Sequence, residues 1–136
     1  MQKISVFKNN KKTNILGVTV LTSLNEKQSF KYYKEKNINM LVTKFARYAK
    51  NNNLNGLVCS PLEIAVVRKA IGNKMTLVVP GIRLENKSKN KKDDQKRTLT
   101  PKEAIKLGAD YLVIGRPIVE SQNPLETIKS INHSIK

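Results

Sequence analysis

The sequence predicts an α/β fold of about four consecutive strand–helix units with parallel strands, and three observations carry that prediction. Short runs of aliphatic and β-branched residues alternate along the chain with amphipathic or polar segments, the order that lays parallel strands side by side with helices packed on them. Three segments open on one helix-start pattern: Ser60-Pro61-Leu62-Glu63, Thr100-Pro101-Lys102-Glu103 and Asn123-Pro124-Leu125-Glu126. Two of the strand-like runs, "TLVVPGIR" (76–83) and "YLVIGRPI" (111–118), end on a glycine with an arginine beside it or one residue on.

Taken in order, "ILGVTVLT" (15–22) reads as a strand, and "INMLVTKFARYAKNNN" (38–53) as a helix with Leu41, Phe45 and Ala49 on one face. "LNGLVCS" (54–60) is a short buried strand and "LEIAVVRKAI" (62–71) a helix; "MTLVVP" (75–80) is the third strand. "PKEAIKLG" (101–108) is a helix and "DYLVIG" (110–115) the fourth strand; a last helix starts near Pro124 and runs through Ile128 and Ile131. At the three helix starts, Ser60, Thr100 and Asn123 each offer a side-chain oxygen to an orphan backbone N–H. The proline that follows loses nothing by lacking its own N–H. Glu63 and Glu103 stand where they can reach back and complete a capping box. "LNGLVCSP" and "ADYLVIGRP" echo each other weakly, in keeping with repeated βα units. Residues 84–99, "LENKSKNKKDDQKRTL", are long, polar and aperiodic, and a loop of that kind inside a compact domain is usually functional or disordered.

Composition narrows the function. The 136 residues suit one domain, and no apolar run is long enough to span a membrane. The first residues, "MQKISVFKNNKKTN", lack the apolar core of a secretory signal. The lone cysteine, Cys59, has no disulfide partner within the chain and suits a reducing compartment, so the expected location is the cytoplasm. A net charge of +16 is the strongest compositional signal, and by itself it points to nucleic acid or another anion. Yet the lysines are spread over every segment, there is no Trp, and aromatics make up 5%, so the stacking platform of a nucleic-acid binder is missing. His133 lies near the terminus as a surface residue and Cys59 in an apolar run as a small core residue. No metal-ligand spacing occurs, and neither a metal nor a cofactor is expected.

The two strand endings point to an anion. Glycine lets a ligand approach the backbone because no Cβ intervenes, and a guanidinium offers a planar fork of donors to phosphate or carboxylate oxygens. The plain alternative is a turn glycine beside a solvated arginine.

The blocks "VTVLTS", "NGLVCSPLE", "LVVPGIR" and "DQKRTLTPKEAIKLGADYLVIGRPI", in that order, resemble the C-terminal half of bacterial orotidine 5′-phosphate decarboxylases, from about Leu16 to Ile131. The resemblance implies barrel strands five to eight of a TIM (β/α)8 barrel, a single partial domain over residues 1–136, with ligands at the C-terminal strand ends and phosphate near the last two strands. It implies a substrate, orotidine 5′-monophosphate, decarboxylated to uridine 5′-monophosphate without a cofactor. It places Thr22 on the pyrimidine side, Gln95 on a mobile phosphate-side loop over 84–99, and Arg83, Gly115 and Arg116 on the phosphate. Each has a plainer reading: Thr22 as a cap, Gln95 as an ordinary loop residue, Arg83 as the partner of Glu85. The family further implies a homodimer.

The family's catalytic signature, Asp-x-Lys-x-x-Asp with a further lysine upstream, does not occur in these residues; "DQK" (94–96) lacks the second aspartate. The expectation is therefore a truncated or split form with no catalytic residue of its own, inactive alone and completed by an N-terminal half. Half a barrel should also expose two strand edges and its apolar inner face. A non-catalytic nucleotide- or phosphate-binding remnant and a basic RNA-associated protein are the alternatives.

Overall fold

Parallel strands need partners on both sides to bury their edges, and among the described residues two strands have a partner on one side only. The computed structural model describes residues 13–21, 24–84 and 99–136. Its four strands are β1 (Leu16–Val18), β2 (Gly56–Val58), β3 (Thr76–Pro80) and β4 (Tyr111–Val113). They form one parallel sheet in the order β1-β2-β3-β4. Leu16 lies opposite Gly56, Gly56 opposite Thr76, and Val78 opposite Tyr111.

The helices are α1 (Glu26–Tyr33), α2 (Ile38–Asn51), α3 (Ile64–Ile71, led in by a 3-10 turn over Pro61–Glu63), α4 (Pro101–Lys106), α5 (Arg116–Val119) and α6 (Pro124–Ser134). The expected starts hold. Thr100 and Glu103 exchange both capping-box bonds, at 3.3 and 2.8 Å, and Asn123 accepts from Glu126 N at 3.3 Å. Ser60 N donates to the Glu63 carboxylate at 3.2 Å.

Two elements differ from the sequence reading. Helix α1 was not anticipated, although Asn25 and Gln28 cap it reciprocally, each accepting from the other's backbone N–H at 3.0 Å. Its only buried residue is Ser29, so it has no apolar stripe for periodicity to detect. The single turn α5 follows Gly115 where only a strand end was expected. The strands are also shorter than their apolar runs, because a ladder extends only where both neighbours are present. Thr19 carries the line of β1 one residue further, its N–H and hydroxyl both donating to Val58 O at 3.1 and 3.0 Å.

Alternation along the strands separates two faces. On one, Gly17, Leu57, Leu77 and Val79 are buried under α2, α3 and α4, in a core with Val42, Ala46, Ile64, Val67 and Ala104. Each fully buried aliphatic side chain there contributes about 1.5–3 kcal/mol. On the other face Leu16 is 39% exposed, Val18 55%, Tyr111 63% and Val113 52%, while the central Val58, Thr76 and Val78 are half-buried. That is the apolar inner face the half-barrel reading expects to be uncovered.

Two polar knots hold the strand starts. Asn55 Oδ1 accepts from Ile15 N at 3.0 Å, Asn55 N donates to Ile15 O, and Thr76 N donates to Asn55 O, tying three strands together. Arg68 on α3 donates to the carbonyls of Gly108, Met75 and Gly72 at 2.7, 2.8 and 3.0 Å and pairs with Asp110. Asp110 also accepts from Leu77 N at 2.7 Å.

Candidate functional site

The ligand end of a parallel sheet is set by where its strands stop. Strand β3 stops at Pro80 and β4 at Val113, and these two residues are register partners. Arg83 follows three residues after the first and Arg116 three residues after the second, so the pairing sets both arginines just beyond neighbouring strand ends. Gly115 heads α5 beside them, and its carbonyl accepts from Ile118 N and Val119 N at 2.9 and 3.1 Å.

The two glycines do different work. Gly81 has φ +81°, a left-handed conformation that favours glycine, and turns the chain out of β3. Gly115 has φ −105°, and a Cβ built on it would meet no atom within 4 Å. No neighbouring atom therefore demands glycine at 115; what the missing side chain leaves is open backbone next to Arg116. The two endings are alike in sequence, but only Gly81 has a left-handed backbone.

Arg83 is half-buried and its Nη1 donates to its neighbour's carbonyl, Ile82 O, at 3.3 Å. Its backbone N donates to Leu99 O at 3.1 Å, so the chain leaves the end of β3 and returns to it at one point. Arg116 is exposed. Thr22, Gln95 and nearly all of the segment 84–99 lie outside the described residues.

The other chemistry-bearing groups near the strand ends are occupied structurally. Cys59, just past β2, is buried, and burial, then the nearby Glu63 charge, push its thiol up to about 12, so it is an inert core residue. Glu63 is held above the ordinary carboxylate range by burial, against the lowering effect of its hydrogen bonds from Ser60. His133 is exposed in the last turn of α6. Among the described residues no group of three or more His, Cys, Asp or Glu is placed to hold a metal, and no helix is long and apolar enough to cross a membrane. A groove does exist elsewhere, on the outer side of α2 between Tyr33, Met40, Lys44, Arg47 and Tyr48; none of the strand-end residues lines it.

Comparison with known proteins identifies the family. Residues 2–131 match the Orotidine 5'-phosphate decarboxylase / HUMPS family. The chain belongs to that family. It is 43% identical over 122 residues to an orotidine 5'-phosphate decarboxylase of Coxiella burnetii, covering 90% of this chain and 50% of that protein. With the enzyme of Dictyoglomus thermophilum it shares 42% over 137 residues, covering 98% and 55%. The crystal structure of orotidine 5'-phosphate decarboxylase from Lactobacillus acidophilus superposes with a TM-score of 0.69 at 28% identity, over 90% of this chain and 49% of that one. An uncharacterized conserved protein from Geobacillus kaustophilus gives 0.70 at 27% identity, over the same shares. The chain thus spans about half the length of the relatives it matches, and its fold is the C-terminal half of their TIM barrel.

Proposed function

We propose that this chain is the phosphate- and pyrimidine-binding half of an orotidine 5′-phosphate decarboxylase, the lyase that converts orotidine 5′-monophosphate to uridine 5′-monophosphate and CO2 in pyrimidine synthesis. The observation that carries the reading is the register pairing of Pro80 with Val113, which sets Arg83 and Arg116 beyond adjacent strand ends in a chain of this family. Gly115 N–H and the Arg116 guanidinium then hold the phosphate, with Arg83 beside them. Thr22 contacts the pyrimidine, and Gln95, on the 84–99 loop, folds over the nucleotide.

Binding alone does not make the reaction fast. The rate depends on charges fixed where CO2 leaves and a carbanion forms at C6. The lysine–aspartate array that supplies them in the family is absent from these residues. The array must come from an N-terminal half, in the same polypeptide or another, within a soluble cytoplasmic enzyme. A second reading, a non-catalytic nucleotide binder, is favoured by that same absence. The +16 charge alone favours an RNA-associated protein, whose binding would fall steeply with salt.

Titration with uridine 5′-monophosphate tests the site. A charge-assisted contact is worth roughly 1.5–3 kcal/mol, so Arg116→Ala should weaken binding by about ten- to a hundredfold. Equal affinity in the variant removes the clamp. The 136 residues alone should release no CO2 from orotidine 5′-monophosphate; turnover by them, lost in Arg116→Ala, would place the catalysis inside this half.

A further inference from the structure

We propose that the groove on the outer side of α2 binds single-stranded nucleic acid, stacking bases on Tyr33 and Tyr48 and holding phosphates on Lys34, Lys44 and Arg47. The groove measures about 840 Å³, within the size range of ligand sites. Met40, Lys44, Arg47 and Asn51, which line it, recur at helical spacing on the side of α2 turned away from the buried Val42, Ala46 and Ala49. A barrel helix packs on the sheet and against the helix at either side of it, so that outward side stays open in a complete barrel as well. The groove is therefore distinct from the uncovered inner face of the sheet, and the inference does not rest on the decarboxylase reading.

Two features of the lining favour this ligand. The first is charge. Lys44 and Arg47 are exposed, and among the described residues neither pairs with a carboxylate. They stand one helical turn apart, with Cβ atoms about 5–6 Å from each other, a spacing that serves successive phosphates. Lys34 adds a third cation where α1 ends; its backbone N closes that helix on Phe30 O at 2.9 Å. Among the described residues Glu35 is the one acidic side chain lining the groove, and its carboxylate is engaged by Asn37 N at 2.9 Å. The second feature is the pair of rings. Tyr33 and Tyr48 are 42% and 49% exposed, and Phe45 braces Tyr33 edge-on at 5.6 Å, so that ring is held in place for stacking. Aromatics are few in the sequence, but the fold brings these two to one groove from different helices. An acidic peptide would use the cations and leave the rings without a partner. A strand of nucleotides supplies an anion and a π face at every step, and the +16 charge of the chain draws it in from solution.

The test is binding of short labelled oligouridylate to the full chain, followed by fluorescence anisotropy, with oligothymidylate as the DNA arm. Lys44→Gln/Arg47→Gln should weaken binding by about tenfold or more and lower the salt slope by about 1.4, at about 0.7 for each phosphate released. Lys102→Gln/Lys106→Gln makes the same charge change at exposed positions of α4 and should weaken binding by less than about twofold. Tyr48→Ala should cost about tenfold through lost stacking, and circular dichroism checks that each variant folds. Binding of either strand, or of both, with this pattern of losses supports the proposal. Equal losses in the two double variants overturn it, because the attraction is then diffuse charge. So does an unchanged affinity in Tyr48→Ala, or polyglutamate binding as tightly as the strands. Binding that survives these variants and is lost in Arg116→Ala overturns it and assigns the strand to the strand-end site. Loss of binding when the N-terminal half of the Coxiella burnetii relative is added overturns it too, and gives the groove to that half.

Discussion

The two faces of this sheet are made of the same kinds of residue and end in opposite environments. Leu57, Leu77 and Val79 on one face are 0–1% exposed, while Val18 and Val113 on the other are more than half exposed. Hydrophobicity therefore does not distinguish them. What differs is supply: three helices lie against the first face, whereas on the second Leu16, Val18, Tyr111 and Val113 stay exposed. The covered face carries the packed core of the chain, and the uncovered one adds little to it.

The largest expected effect breaks or confirms that contrast directly. Leu77→Ala should cost about 2–5 kcal/mol in a denaturant titration, as for other large-to-small changes in a packed core. Val113→Thr should change stability by less than about 0.5 kcal/mol where the chain is monomeric. A comparable loss at both sites would mean that the inner face is covered after all; a cost at Val113 that disappears on dilution would sharpen the contrast by locating the cover in another molecule. Cys59 gives a second reading of the same event. With its thiol pushed up to about 12 and its side chain buried, it should resist alkylation until the covered layer opens, and Leu77→Ala should accelerate the reaction.

A smaller effect concerns the knot below that layer. Arg68→Ala removes hydrogen bonds to Gly108, Met75 and Gly72 and the ion pair with Asp110. The Asp110 side chain is 45% exposed, so screening leaves the ion pair worth little and the carbonyl contacts dominate. The loss should be about 2 kcal/mol, with amide exchange rising first at Leu77 and Asp110. An unchanged exchange pattern would show that the covered layer does not depend on this side chain.

The smallest effect is a pH dependence. Glu63 is raised in the folded state, chiefly by burial, so its contribution is full below the ordinary carboxylate value of 4.5 and is lost as pH rises through the raised one. Stability should therefore decline over that interval, and Glu63→Gln should flatten the decline. A decline that persists in Glu63→Gln would assign it to another group.

Much of this was legible beforehand because it is local. Ser60, Thr100 and Asn123, each followed by proline and then glutamate, fixed three helix starts, since a cap is satisfied within four residues of chain. The four apolar runs gave four parallel strands. Helix α1 escaped because its cap, Asn25 with Gln28, is not followed by an apolar stripe. The roles of Arg68, Asp110 and Asn55 escaped for a different reason: their partners lie some forty residues away.

The sequence by itself determined the α/β order, the family resemblance and the pair of glycine–arginine endings, all of them written in contiguous residues. Only the tertiary structure decided that Pro80 and Val113 are level, which sets Arg83 and Arg116 beyond neighbouring strand ends. It alone showed that the backbone at Gly81 favours glycine while Gly115 leaves open space. It also decided which side of each strand is buried, because alternation marks two faces and the helices can cover only the one they are connected to pack against.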